Sequence, residues 1–208
     1  MAQHSESGLF VVLDGVDGCG KTTQAKLLVR TLDEREGRAP LHLREPGSTA
    51  LGERLRELLF DRALELDSGV EVLLFAAARR QMLAELVTPA LAEGRHVVCE
   101  RFHPSTCAYQ AHAGGLDRAR VLAVLGEWAG DPRPDLELVL DLGAGDAAAR
   151  RGVPGDRIED RGDAYMARVA EGYRRYAAEE ERAVLLDGGG TIEAVAEAVL
   201  GEVMRALK

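Results

Sequence analysis

The amino-acid sequence contains no asparagine, and only three of its 26 basic residues are lysines, at Lys21, Lys26 and Lys208. Positive charge is in the minority as well, since the formal net charge of the 208 residues is −9. This balance disfavours a general attraction to nucleic acid or to an anionic membrane. A local phosphate site remains compatible with it, because a few arginines are enough to bind phosphate groups. We therefore expect small-molecule partners, without nucleic acid or membrane.

Cysteines and long apolar runs are also scarce. The three cysteines, Cys19, Cys99 and Cys107, are too few and too scattered to predict a disulfide scaffold or a zinc site. The most apolar stretch is short and is interrupted by Glu71 and Arg79, so it predicts no membrane span. The first residues lack the basic and apolar segments of a secretory signal. These absences favour a cytoplasmic protein.

Short apolar runs alternate with longer amphipathic segments along the chain. The runs predict strands at 9–14, 41–45, 96–101, 136–142 and 182–187. The segments predict helices at about 21–36, 51–62, 68–93, 117–130, 146–151, 163–181 and 191–207. This order predicts one α/β domain over residues 1–208, with a doubly wound parallel five-stranded sheet and helices on both faces. Pro89 is expected to kink the third helix, and residues 150–163 predict a short mobile lid rather than a core element.

A glycine-rich segment after the first predicted strand carries the clearest chemical signal. It matches the pattern G-x-x-x-x-G-K-[ST] with Gly15, Gly20, Lys21 and Thr22. In such a phosphate-binding loop (P-loop), backbone N–H groups surround a polyphosphate, the lysine reaches its outer oxygens and the hydroxyl meets Mg²⁺. The segment predicts a P-loop NTPase-type fold that binds ATP through Gly15, Val16, Asp17, Gly18, Cys19, Gly20, Lys21, Thr22 and Thr23.

The missing asparagine narrows the type of P-loop protein. Ras-like GTPases read guanine with an Asn-Lys-x-Asp element, which a sequence without asparagine cannot contain. A chain of 208 residues is also small for a motor or transporter ATPase. A compact P-loop domain with an arginine-rich lid therefore predicts a small-molecule kinase.

Five segments, in the right order along the chain, resemble motifs of the thymidylate kinase family. "GVDGCGKTT" (15–23) resembles its P-loop, and "REPGST" (44–49) resembles its R-E-P-G-G-T element. "LLFAAARRQ" (73–81) is similar to its F-x-x-x-R helix. "ERFHPSTCAYQ" (100–110) resembles its D-R-Y-x-x-S-x-x-A-Y-Q loop, and "RRGVPGDRIE" (150–159) resembles its lid. The resemblance implies ATP as phosphoryl donor, dTMP as acceptor, Mg²⁺, and a homodimer formed by helix packing.

Phe75 and Arg79 show how the residues and the resemblance combine. They are spaced i, i+4 and so share one helix face. Taken alone, this pair fits a core phenylalanine and a surface arginine better than a base site. The resemblance implies instead that thymine stacks on Phe75 and that Arg79 recognises O4 of the base.

The resemblance assigns the rest of the acceptor site as well. It implies that Arg101 and Arg44 hold the 5′-phosphate, for which the planar fork of arginine is suited. Asp17 would accept the 3′-hydroxyl of the sugar and Tyr109 would pack beneath it, while Asp156 and Glu159 would close over it from the lid. The implied dTMP-binding set is Asp17, Arg44, Phe75, Arg79, Arg101, Ser105, Thr106, Tyr109, Gln110 and Glu159.

Positive charge near the transferred group is the main catalytic requirement of phosphoryl transfer. Some thymidylate kinases carry an arginine in the P-loop itself, where this sequence has Gly18. The resemblance to the bacterial type implies that the lid supplies this charge. The predicted catalytic residues are Lys21, Arg101, Arg150, Arg151 and Arg157. Thr22 and Glu100 are the predicted metal ligands.

Two positions depart from the family pattern. Glu100 stands where the family has aspartate, and Ser48 stands where it has a second glycine. A Glu-Arg pair is also typical of deoxynucleoside kinases, whose acceptor is a neutral hydroxyl that needs a carboxylate base. A nucleotide-binding homologue with weakened catalysis is a further alternative. A monophosphate acceptor is favoured by the R-E-P-G element and by Arg101 and Arg44, which the resemblance assigns to the acceptor phosphate. Thymidylate kinase is therefore the predicted function.

Overall fold

The computed structural model describes residues 8–151 and 155–208, and a five-stranded sheet forms the centre of this part of the chain. The strands are β1 (Phe10–Gly15), β2 (Leu41–Arg44), β3 (Val97–Glu100), β4 (Leu136–Asp141) and β5 (Ala183–Asp187). Their order is β2-β3-β1-β4-β5, and every neighbouring pair is parallel. The predicted doubly wound α/β fold is confirmed.

Nine α-helices connect and cover these strands within the described residues. They are α1 (Lys21–Glu36), α2 (Ala50–Phe60), α3 (Ser68–Met82), α4 (Thr88–Ala92), α5 (His103–Thr106), α6 (Arg118–Ala129), α7 (Ala144–Arg151), α8 (Asp163–Glu179) and α9 (Ile192–Ala206). No helix in this part of the chain is both long and apolar enough to cross a membrane.

The alternating side chains of β1 explain why helices lie on both faces of the sheet. Val11 and Leu13 belong to the larger hydrophobic cluster, whereas Phe10 and Val12 belong to a second cluster on the opposite face. All four side chains are buried. A strand that is apolar on both faces is typical of a parallel sheet covered on each side. The chain segment that follows β1 is therefore fixed to the rigid centre of the molecule.

Two helical predictions were wrong in detail. The single helix predicted over 68–93 is divided into α3, a π-helical turn at Leu83–Val87, and α4. Pro89 has no backbone N–H, so a regular pattern of helical hydrogen bonds cannot continue through it. Residues 100–110 were expected to form a loop because they resemble one of the family, but residues 103–113 form α5 followed by a π-helical segment at Cys107–Ala113.

The predicted lid is partly built into the core. Residues 152–154 lie outside the described residues, and a short 3₁₀ helix at Glu159–Arg161 follows them. Ile158 is buried in the larger hydrophobic cluster. Its neighbour Arg157 bonds the carbonyl oxygen of Leu59 at the end of α2. The prediction that residues 150–163 contain no core element was therefore wrong at Ile158, whose apolar side chain packs like any other core residue.

Candidate active site

The P-loop joins the carboxyl end of β1 to the first residue of α1. Gly15 has a φ of 138°, and a Cβ atom there would lie 2.5 Å from the carbonyl oxygen of Leu140. Gly20, directly before α1, has a φ of 95°. Both conformations favour glycine, which explains why these positions cannot hold larger residues without strain. The strand, loop and helix predicted around this motif are confirmed.

Lys21 is buried at the first turn of α1 and is held inside the P-loop. Its Nζ lies 2.9 Å from Oδ1 of Asp17 and 3.4 Å from the carbonyl oxygen of Val16. Burial alone would raise the pKa of Asp17, but Arg101 and Lys21 outweigh it and lower the pKa below its ordinary value. The Asp17 carboxylate therefore pairs with two cations, the Lys21 ammonium from the loop and the Arg101 guanidinium from outside it.

A cleft of about 500 Å³ opens beside the P-loop. It is lined by all ten predicted acceptor residues and by six residues of the loop, Asp17, Gly18, Gly20, Lys21, Thr22 and Thr23. Gly15, Val16 and Cys19 are buried beneath this surface. The acceptor residues that line the cleft are Asp17, Arg44, Phe75, Arg79, Arg101, Ser105, Thr106, Tyr109, Gln110 and Glu159. The structure thus brings both predicted sets to one cavity.

Arg79 is the most deeply buried charged group on the wall of this cleft. Its Nη2 lies 2.7 Å from Oε1 of Glu45 and donates a hydrogen bond to Thr106 at 3.0 Å. The guanidinium carbon lies 4.6 Å from the centre of the Phe102 ring. Its Nη1 is buried and has no hydrogen-bond partner among residues 8–151 and 155–208. A surface charge, which the isolated pair of residues favoured, is therefore excluded for Arg79.

An unpaired buried donor nitrogen is costly unless a ligand completes it. Phe75, one helical turn before Arg79, is half-buried and lines the same cleft. An apolar ring and an N–H donor thus lie beside each other on one helix. This arrangement suits a flat heterocycle that carries an oxygen acceptor on its edge.

Arg101 follows β3 and connects the P-loop to the acceptor wall. It has a φ of 67°, which is unusual for a residue other than glycine. Its Nη2 is ion-paired with Asp17, and its Nη1 donates to the hydroxyl of Ser105 at 3.0 Å. Tyr109 is buried nearby, and its hydroxyl donates to Oδ2 of Asp17 at 3.2 Å. A positive φ such as that of Arg101 strains the backbone, and such strain often occurs at functional positions.

Asp14 explains how this geometry is fixed. The carboxylate is fully buried at the end of β1 and accepts hydrogen bonds from the backbone N–H groups of Phe102 and Ser105, at 3.1 and 3.0 Å. It also accepts from the hydroxyl of Tyr173 at 2.7 Å. These contacts connect the end of β1 to α8 and to the segment that follows β3. The hydrogen bonds to Asp14 consequently fix the backbone on the C-terminal side of Arg101.

Glu100 lies between the P-loop and the edge of the sheet. Its Oε2 accepts a short hydrogen bond from Thr22, and its Oε1 lies 3.0 Å from Nε2 of His42. Burial alone would raise the pKa of Glu100, but the hydrogen bonds from His42 and Thr22 lower it overall. The predicted metal ligands are therefore in direct contact with each other.

The lid arginines point in different directions. Arg150 is exposed and donates to the carbonyl oxygen of Gly188 at 3.1 Å, in the loop after β5. A Cβ atom on Gly188 would lie 3.4 Å from the carbonyl oxygen of Cys19, so this loop borders the P-loop. Arg157 instead pairs with Glu71 of α3 at 2.6 Å. Arg151 ends α7, and its side chain lies outside the described part of the structure.

Comparisons with known proteins agree with this geometry. A family model for thymidylate kinase matches residues 13–199. The chain is 39% identical over 203 residues to a thymidylate kinase of Caldanaerobacter subterraneus subsp. tengcongensis, with 97% of each chain covered. It is 42% identical over 197 residues to a thymidylate kinase of Pseudomonas fluorescens, with 93% of each chain covered. The chain belongs to the thymidylate kinase family.

A solved thymidylate kinase from Ehrlichia chaffeensis also shares the fold. Its crystal structure matches with a TM-score of 0.79 at 30% identity, covering 95% of this chain and 99% of that chain. Membership of the thymidylate kinase family makes the chain an ATP-dependent nucleoside monophosphate kinase, a phosphotransferase. The predicted function is therefore favoured over the deoxynucleoside kinase and the weakened homologue.

The two departures from the thymidylate kinase pattern have local explanations. Ser48 has a φ of 66°, in the left-handed region that explains a glycine in the family motif. Its hydroxyl accepts from the backbone N–H of Arg44 at 2.9 Å, which compensates part of the strain. The longer side chain of Glu100 reaches both Thr22 and His42. Both residues thus make hydrogen bonds within the site.

Sequence reasoning missed the residues that hold the predicted ones in place. These supporting residues are Asp14, Glu45, Glu71, Phe102 and Tyr173, and Arg56 and Phe60 also line the cleft. Some carried a usable signal, since Asp14 directly precedes the P-loop motif and Glu45 and Phe102 lie inside two of the family-like motifs. Glu71 lies one turn before Phe75 on the same helix face. Tyr173, on α8, gave no signal in the sequence.

Proposed function

We propose that this chain transfers the γ-phosphoryl group of ATP to dTMP, giving ADP and dTDP. One observation carries the proposal. The cleft that contains Lys21 of the P-loop also contains a buried, unpaired guanidinium nitrogen of Arg79 beside Phe75. A triphosphate and a pyrimidine nucleotide are the two ligands that complete these groups.

The donor ATP would place its phosphates in the P-loop. Backbone N–H groups of the loop and the amino end of α1 favour an anion there. Lys21 would exchange its contact with Asp17 for the outer phosphate oxygens. Since its Nζ is already inside the loop at 2.9 Å from that carboxylate, the exchange needs only a small movement.

The acceptor base would lie between Phe75 and Arg79. Stacking on the phenyl ring is worth about 1–3 kcal/mol per base. Nη1 of Arg79 would donate to O4 of thymine, which satisfies the buried donor. The ion pair with Glu45 keeps the guanidinium in this orientation, because both of its other nitrogens already have partners.

The acceptor sugar and phosphate would extend from the base toward the P-loop. Asp17 would accept the 3′-hydroxyl, with Tyr109 beneath the sugar and Glu159 on the lid side. Arg101, with Arg44, would bind the 5′-phosphate. Arg101 supports this role because its guanidinium lies between Asp17 and Ser105 at the junction of the two halves of the cleft.

The transfer itself needs alignment and positive charge rather than a general base. A 5′-phosphate oxygen of dTMP would attack the γ-phosphorus, and the bond from that phosphorus to the bridging oxygen of ADP would break. Lys21 and Arg101 would stabilise the charge on the transferred group. We assign the lid contribution to Arg150, because it lies by the loop that borders the P-loop. Arg157 would first have to leave Glu71.

Magnesium would be held through Thr22, with Glu100 beside it. Mg²⁺ at phosphoryl-transfer sites usually uses one or two protein groups together with phosphate oxygens and water. The direct contact of the Thr22 hydroxyl with the Glu100 carboxylate fits such a site. When bound, the ion neutralises charge on the β- and γ-phosphates.

A cytoplasmic homodimer completes the proposal. The exposed large apolar side chains include Leu51, Leu58, Val70, Leu73 and Trp128, which lie on α2, α3 and α6. Trp128 is 66% exposed and Leu73 is 60% exposed. Helix packing between two copies would bury these side chains, as the family resemblance implied.

An assay of ADP release with several acceptors tests the proposal. dTMP, dUMP, dCMP, UMP and thymidine would be compared at equal concentration with ATP and Mg²⁺. We expect dTMP to have the highest kcat/KM. A preference for thymidine would support a nucleoside kinase, and ATP turnover that no acceptor stimulates would support the weakened homologue.

A further inference from the structure

Glu71 is a buried carboxylate that the proposed reaction does not use. It lies on α3, four residues before Phe75 and eight before Arg79, so the three side chains share one helix face. Its side chain is fully buried. An isolated buried carboxylate is strongly unfavourable, so its partners must explain its presence.

The two oxygens of Glu71 have different partners. Oε1 pairs with Arg157 at 2.6 Å and also with Arg161, both from the predicted lid segment. Oε2 accepts a hydrogen bond from Nε2 of Gln110 at 3.0 Å. A carboxylate paired with two guanidinium groups accepts hydrogen bonds and donates none. The side-chain amide of Gln110 must therefore turn its NH₂ group toward Glu71.

This orientation decides what Gln110 offers to the cleft. Its amide oxygen accepts no hydrogen bond from residues 8–151 and 155–208, and Gln110 lines the cleft together with Arg79. Gln110 thus offers an acceptor on this wall, and Nη1 of Arg79 offers a donor. Thymine has a matching N3–H donor and O4 acceptor. Cytosine has the reverse, an N3 acceptor and an amino group at C4.

We propose that Glu71 is a positioning residue that sets the selectivity of the acceptor site for thymine over cytosine by fixing the orientation of the Gln110 amide. The inference rests on the proposed function, because it concerns the acceptor base of that reaction. Lid residues Arg157 and Arg161 contribute by compensating the charge of Glu71. A mispaired amide costs affinity because buried polar groups are left without partners.

The test is the ratio of kcat/KM for dTMP to kcat/KM for dCMP in Glu71→Gln. A glutamine at this position can donate as well as accept hydrogen bonds, so the side-chain amide of Gln110 can rotate to the opposite orientation. We expect the ratio to fall roughly tenfold or more. An unchanged ratio, with kcat/KM reduced equally for both acceptors, would overturn the proposal and leave Glu71 a structural residue.

Arg161→Gln is the matched control, because it removes a partner of Oε1 and leaves the hydrogen bond between Oε2 and Gln110. We expect kcat/KM to change with both acceptors while their ratio stays at the wild-type value. A fall in the ratio as large as that of Glu71→Gln would contradict the role of Gln110 and overturn the proposal.

Gln110→Met keeps the inference testable if Glu71→Gln does not fold. The single variant should lose selectivity, and Glu71→Gln should have no further effect on the ratio in its background. Wild-type selectivity in Gln110→Met would overturn the proposal. The wild-type enzyme in the same assay separates the two hypotheses: no turnover of dTMP would contradict the proposed function, whereas turnover with an unaffected ratio in Gln110→Met would contradict only the role of Glu71.

Discussion

The two halves of the cleft are built by different means. The donor half is a contiguous loop, residues 15–23, whose shape depends on glycine backbone conformations and on the start of one helix. The acceptor half is assembled from side chains of α3, the end of β2 and the segment after it, the segment after β3, and the predicted lid. Local sequence thus determines the proposed phosphate site, whereas long-range ion pairs determine the proposed base site.

The acceptor half also carries more buried charge. Burial raises the pKa of Glu45, and the nearby Arg79 only partly offsets this effect. Breaking a buried pair by removing one partner typically costs about 3–5 kcal/mol. The ion pairs of Arg79 and Glu71 are therefore better understood as devices that hold orientation than as sources of stability.

The largest effect is expected in the donor half. Lys21→Ala removes the ammonium that we propose contacts the transferred phosphoryl group, and we expect kcat to fall by about 10³-fold or more. The variant should still fold, which circular dichroism checks. Lys26→Ala is the matched control, since Lys26 lies on the same helix and is exposed. A kcat within tenfold of the wild-type value would mean that Lys21 does not act on the phosphate.

A smaller, more selective effect is expected in the acceptor half. Phe75→Ala removes the ring that we propose stacks on the base, so KM for dTMP should rise by a factor that corresponds to about 1–3 kcal/mol, with KM for ATP unchanged. Phe75→Leu keeps apolar volume against the core and isolates the loss of the aromatic face. If steady-state kinetics give the same KM for dTMP in both variants and in the wild type, Phe75 does not contact the base.

The stability of the acceptor half should also depend on pH through His103, the first residue of α5. It is half-buried, and its Nε2 lies 3.2 Å from the carbonyl oxygen of Ala129. Burial, with smaller contributions from Arg79 and Arg133, lowers its pKa from 6.5 to about 3. The unfolded chain then binds the proton more readily, so stability is lost as pH falls from 6.5 toward 3. The loss should reach about 1–2 kcal/mol at pH 5.

His103→Gln removes this titration, so the free energy of unfolding of the variant, relative to wild type, should improve as pH falls from 7 to 5. The comparison with wild type is needed because Glu137 acts in the opposite direction. Burial raises its pKa to about 7, so its ionisation destabilises the fold as pH rises from 4.5 to 7. Urea unfolding at each pH gives both curves, and parallel curves would contradict the role of His103.

The same contrast explains how much the sequence could predict. The P-loop and all five strands were predictable, because glycine spacing and apolar runs are local signals. The helical segment at 103–113 was not, since "HPSTCAYQAHA" has no clear apolar stripe and packs against α8 and α3. The docking of Arg157 on Glu71 was also unpredictable, because the pair is separated by 86 residues. Contacts between residues far apart in the sequence could therefore be identified only from the structure.

The central claim is that the cleft holds a phosphorylated thymine nucleotide opposite the P-loop, with Arg101 on its phosphate. Equilibrium binding of dTMP and of thymidine to the wild-type protein, measured by calorimetry, tests it most directly. Hydrogen bonds to a charged group contribute about 1.5–3 kcal/mol, so dTMP should bind roughly 10- to 150-fold more tightly than thymidine. Thymidine binding as tightly as dTMP would contradict the account.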